Sequence, residues 1–70
     1  MGTKEQRIEL LKKMDAYIIN VIGDEEAYDW WAMEGVPNEA TDEDFEYIAT
    51  DIDEWKRICE VFGKIVNCFG

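Results

Sequence analysis

The chain has no histidine and no serine, a single proline, two cysteines, and no Lys or Arg anywhere between residues 24 and 54. Without His or Ser it lacks the usual general base and the commonest hydroxyl nucleophile, and no feature marks Cys59 or Cys68 as an activated thiol. Adjacent carboxylates such as Asp24 with Glu25, or Asp51 with Asp53, do acid–base work only where a cleft desolvates them. The expectation is a protein that is not an enzyme. Metal chemistry is disfavoured on similar grounds. The alternate carboxylates Asp42, Asp44 and Glu46 resemble the start of a calcium loop, but such a loop needs Gly at its sixth position, where Tyr47 stands. Counting from Asp51, the sixth position is Lys56. Zinc has no His and no close pair of thiols to bind. No cofactor is expected.

Long apolar runs are also missing. The stretch Ile18 to Ile22 is interrupted by Asn20, far short of the roughly 20 apolar residues that span a bilayer, and no basic-then-apolar leader opens the sequence. The expected location is cytoplasmic. Cysteine usage agrees: Cys59 and Cys68 are predicted to share one helix, nine residues and therefore about 13 Å apart, whereas a disulfide needs Cα atoms within about 7 Å. Cys59 falls on the apolar stripe as a small hydrophobe, and Cys68 lies off it.

What the sequence does contain is apolar residues at 47% and aromatics at 13% in 70 residues, too hydrophobic a mixture for a disordered chain. It predicts one domain, residues 1–70, with a small core and no room for a large pocket. Punctuation divides it into helices. Thr3 with Gln6 reads as a capping box, and Ile8, Leu11, Met14, Ile18, Val21 and Ile22 recur at helical spacing until Gly23. Asp24 caps a short second helix, about residues 25 to 34, that Gly35 and Pro37 end. Thr41 caps a third, with Asp42, Glu43 and Asp44 in its first turn.

The third helix has two possible ends. Thr50 with Asp53 and Asp51 with Glu54 both resemble capping boxes, which favours a break near Thr50. Against this, Phe45, Ile48, Ile52, Trp55, Cys59, Phe62, Val66 and Phe69 form an unbroken heptad seam that one bent helix from Thr41 to Phe69 would satisfy. From Asp51 onward the stripe widens to include Ile58 and Ile65. No strand is indicated, so the fold class is all-α, a small compact bundle of three to four helices. Within helix one, Asp15 falls on the apolar side. A buried carboxylate without a partner is costly, so Asp15 is expected to meet a basic side chain, an indole N–H or a helix N-terminus.

The most informative feature is charge placement. Residues 24 to 54 hold thirteen Asp or Glu and no cation, while the flanking segments are slightly basic, within a net charge of −10. Such a field repels nucleic acid and anionic membrane and attracts basic proteins. Carboxylates three or four residues apart on a helix form a row that a DNA-binding groove can accept in place of phosphates. Trp30 and Trp31 point about 100° apart on a helix, so one is expected to stay partly exposed; padding of a small core is the simpler role for both indoles, and an anchor for a partner is the alternative that makes Trp30 a candidate. The candidate partner-binding residues are Asp24, Glu25, Glu26, Asp29, Trp30, Asp42, Glu43, Asp44, Glu46, Asp51, Asp53 and Glu54.

In charge density over residues 24 to 54, small size and helical build, the chain resembles the small acidic DNA-mimic inhibitors of phages and mobile elements. Those block restriction enzymes or CRISPR nucleases; acidic antitoxins that cover a basic ribonuclease have the same character. The resemblance implies a protein-binding module whose partner is a basic protein, such as a nuclease, with no direct contact to nucleic acid. The alternative is a self-associating structural protein, a homodimer joined through its seam, whose acidity serves only solubility.

Overall fold

Thr3 opens the first helix in the computed structural model, which describes residues 2–70. Its hydroxyl accepts from the Gln6 N–H at 3.2 Å while the Gln6 side chain accepts from the Thr3 N–H at 2.8 Å, so two orphan donors are satisfied reciprocally. Helix α1, Lys4–Ala16, continues without interruption into a π-helical turn, Tyr17–Ile22, and ends at Gly23 with φ +64°. The Gly23 N–H reaches back to the Ile18 carbonyl at 2.9 Å, a spacing of five residues.

The π turn is a departure from the expected stripe. A wider turn advances each side chain through a smaller angle than an α-helix does. Ile18 therefore stays buried and Ile22 half-buried, while Val21 swings outward to 64% exposure.

Helices α2 (Glu25–Glu34), α3 (Asp42–Thr50) and α4 (Ile52–Phe69) follow. Asp24 caps α2, accepting from the Glu26 N–H at 2.8 Å, and Gly35 at φ +130° ends it. Beyond that turn Val36 is fully buried, which ties the connecting loop to the core. The break favoured by local capping is present: Asp51 is extended (φ −89°, ψ 107°) and its carboxylate accepts from the Asp53 and Glu54 N–H groups. One bent helix through Thr50 does not form, because this cap satisfies donors that a continuous helix would leave to backbone carbonyls.

The break also rotates the seam. In α4 the deeply buried residues are Trp55, Ile58, Val61 and Ile65, so Val61 joins the stripe and the seam residues Cys59, Phe62, Val66 and Phe69 form its half-buried flank. Both cysteines are free, Cys68 exposed and Cys59 partly buried, and burial pushes the Cys59 thiol pKa up.

The four helices pack as two antiparallel pairs. Lys12 meets Asp42, and Arg7 donates to the Ala49 carbonyl at 2.8 Å, so α3 runs back along α1. Arg57 meets Glu34, Phe62 meets Trp31 and Phe69 meets Trp30, so α4 runs back along α2. Trp31 stands at the centre, 2% exposed, edge-on to Phe62 with ring centroids 6.0 Å apart. Its indole N–H donates to Asp15 Oδ1 at 3.0 Å. This is the partner that Asp15 requires.

Burial raises the Asp15 pKa above its ordinary 3.8, and the Trp31 hydrogen bond offsets part of the rise. A carboxyl whose folded pKa is raised binds its proton more tightly in the folded state, so its contribution to stability falls as pH rises through the interval between the two values. Asp15→Asn keeps an acceptor for the indole and removes the charge. The variant is expected to gain stability relative to the parent chain between pH 4 and pH 7, measured by urea unfolding at both values; an equal difference at the two pH values would contradict this coupling.

Candidate acidic interface

Each of the three helices that begin inside the acidic stretch uses a carboxylate to close its N-terminus. Asp24 does so for α2 and Asp51 for α4. At α3 the Thr41 N–H and hydroxyl donate to Asp44 Oδ2 at 2.8 and 3.0 Å, and the Asp44 N–H donates back to the Thr41 hydroxyl at 3.4 Å. These three carboxylates meet the positive end of a helix dipole and hydrogen-bond donors at once, so their charge is stabilised locally. Their neighbours Glu25, Glu26, Asp42, Glu43 and Asp53 occupy the same first turns and are exposed.

Cations from outside the stretch neutralise part of it. Lys4 and Lys12, both on α1, pair with Glu46 at 3.4 Å and Asp42 at 3.3 Å along one flank of α3. Arg57 pairs with Glu34 at 2.8 Å and with Glu54 at 2.5 Å, and it also donates to the Glu34 carbonyl. Arg57 thereby holds the C-terminal end of α2 against α4. Glu54 and then Glu34 raise the guanidinium pKa, holding it in its charged form. Glu34, Asp42, Glu46 and Glu54 are thus ion-paired, and the other nine carboxylates of the stretch have no cation within 4.0 Å among the described residues.

The fold does not gather all the candidate residues onto one face. Helix α3 has nine residues, about 13 Å of rise, which separates the group around Asp42 from the group around Asp51. Two concave surfaces hold five of the twelve candidates, Glu25 and Asp29 in one and Glu43, Glu46 and Asp51 in the other. Glu25 and Asp29 line a cleft of about 480 Å³ with Ile19, Tyr28, Asn38 and Glu39. The Tyr28 hydroxyl there donates to the Ile19 carbonyl at 3.1 Å, tying α2 to the π turn. Glu39 has φ +58°, an uncommon conformation for a residue with a side chain. The second surface is a groove of about 400 Å³ on the outward side of α3, lined by Glu43, Glu46, Tyr47, Thr50 and Asp51. Glu26 and Asp53 are exposed outside both. Trp30 is half-buried and edge-on to Phe69 at 6.5 Å, so it serves chiefly as packing, while Trp31 is the fully enclosed member of the pair.

Of the lining residues absent from the sequence candidates, Glu39 adds a carboxylate and Tyr47 an exposed ring. Tyr47 was legible in principle, since it lies one turn after Glu43 and opposite the buried Phe45, Ile48 and Ala49. Glu39 was not, because its position depends on the loop between α2 and α3. Among the described residues no three potential metal ligands come together, and no helix is long and apolar enough to cross a membrane. Comparison with known families, curated proteins and solved structures returns no match.

The ion pairs are unequal in structural consequence. Lys12 and Asp42 are exposed, the Asp42 side chain at 90%, and such pairs contribute little. Arg57 joins two helices through two carboxylates and a carbonyl. Arg57→Met is expected to cost about 1 kcal/mol and Lys12→Met less than about 0.5 kcal/mol in urea unfolding. Equal costs would show that the Arg57 junction has no special weight.

Proposed function

We propose that this protein is a non-catalytic, acidic protein-binding module. Its partner is a basic, nucleic-acid-handling protein such as a nuclease, which it occupies as an inhibitor or adaptor by presenting carboxylates where the partner expects phosphates. The observation that carries this reading is the set of nine carboxylates with no cation beside them among the described residues, all but the loop residue Glu39 lying on or capping helices whose inner faces are buried. Thirteen like charges with so little compensation cost folding energy that a 70-residue domain has in short supply. A partner of opposite sign relieves that cost on binding and is drawn in by the same field.

The alternative of self-association through the C-terminal seam has less in its favour. Phe69 packs on Trp30, and Val66 is half-buried within the bundle, so the seam is largely spent on intramolecular contacts. Direct binding to nucleic acid is disfavoured by charge, since it depends on Lys and Arg displacing counterions.

The test is binding to a basic nuclease partner as salt is raised, with charge reversals placed where they leave the fold intact. Asp24, Asp44 and Asp51 are caps, so reversing them would disturb helices as well as binding. Glu25→Lys, Asp29→Lys, Glu43→Lys and Asp53→Lys are the informative variants. Affinity is expected to fall at least tenfold between 50 and 500 mM NaCl and to weaken in one or more of these variants, read by calorimetry. Binding indifferent both to salt and to all four reversals would overturn the proposal.

A further inference from the structure

The acidic stretch and its edge carry six aromatic residues, and five of them are committed to the fold. Trp31, Phe45 and Trp55 are buried, Trp30 lies edge-on to Phe69, and the Tyr28 hydroxyl is bonded to the Ile19 carbonyl. Tyr47 is the exception. It is 66% exposed, and among the described residues its ring has no aromatic neighbour and its hydroxyl no hydrogen-bond partner. It lies on the outward side of α3, one helical turn after Glu43 and one before Asp51, with Glu46 and Thr50 completing the groove.

An exposed phenol ring flanked by carboxylates has a definite complement. The face of the ring attracts a cation through its quadrupole, and a planar guanidinium can stack there while its N–H groups reach carboxylates on either side. Lysine shares the charge but not the plane. The platform is also preformed: Phe45, Ile48 and Ala49 are buried beneath it, and the Thr41–Asp44 capping box fixes its first turn. Little ordering is needed on binding. The cleft beside α2 offers carboxylates too, but its aromatic hydroxyl is already tied to backbone.

We infer that the outward face of α3, centred on Tyr47, is the docking surface for an arginine-bearing segment of a basic protein. One guanidinium lies on the Tyr47 ring between Glu43 and Asp51. A second cation exchanges with Lys4 for the exposed carboxylate of Glu46, 3.4 Å from the Lys4 ammonium. The inference rests on the acidic-module reading and specifies its face and the side chain that it recognises.

The experiment is an NMR titration of the ¹⁵N-labelled protein at low salt with a blocked helical peptide carrying arginine at every fourth position. A peptide with citrulline in place of arginine is the neutral control. Amide shifts are expected to concentrate between residues 43 and 51 with the arginine peptide and to be absent with the control. Tyr47→Ala, which removes an exposed ring and should leave the melting temperature unchanged, is expected to weaken binding about fivefold, and Tyr47→Phe to retain it. Shifts centred on Glu25 and Asp29, with Tyr47→Ala neutral, would overturn the α3 face while sparing the acidic-module reading. No binding of the arginine peptide at all would overturn both. A dimer of the protein alone, by sedimentation, that buries Tyr47 would also overturn the inference, because a second copy would then occupy the face.

Discussion

Mutual repulsion among carboxylates is the constraint to which the rest of this structure answers. Two such charges about 6 Å apart repel by roughly 0.7 kcal/mol in unscreened water, and the stretch from residue 24 to 54 contains thirteen with no internal cation. The fold manages this in two ways. Three carboxylates are assigned to helix N-termini, where dipole and N–H donors favour negative charge. Four more are met by Lys4, Lys12 and Arg57, which come from the chain's two ends. The acidic middle therefore depends on the termini electrostatically as well as for its core, and antiparallel packing of α1 on α3 and α2 on α4 brings those cations to it.

The core is organised around Trp31, and one polar contact fixes how α1 meets α2. Asp15 is the carboxylate that α1 places toward the apolar side, and the indole N–H is what makes that position tolerable. The π turn follows two residues later. It turns Val21 outward while keeping Ile18 buried and Ile22 half-buried where the helix meets α2. Packing of the inner faces leaves the outer faces rigid, which links the core to the proposed docking function: carboxylates on fixed helices present their charge without first having to be ordered.

Local signals were the legible part of the sequence. Thr3, Asp24, Gly35 and Thr41 act in the structure as capping chemistry says they should, because a cap depends on residues within one turn of itself. The break at Asp51 was legible for the same reason, although the heptad seam argued for continuity; two N–H groups bonded to one carboxylate outweighed a periodicity that a rotated helix could still use, with Val61 replacing part of the seam. The π turn was not legible, since β-branched residues such as Ile18, Ile19, Val21 and Ile22 fit an α-helix and a wide turn alike. At the candidate interface, acidity was evident from composition, but its division into two concave surfaces was not. That division depends on which carboxylates meet Lys4, Lys12 and Arg57 across the bundle, and on a loop that places Glu39.

If carboxylate repulsion governs the structure, the folded molecule carries a net excess of repulsive over attractive charge interactions. The most direct test is the unfolding free energy at pH 7 as NaCl is raised from 50 to 500 mM, because salt screens whichever sign of interaction dominates. If uncompensated repulsion prevails, stability rises with salt. Stability that falls with salt would mean that the ion pairs outweigh the repulsion, and the acidic surface would then be neutralised by the protein itself.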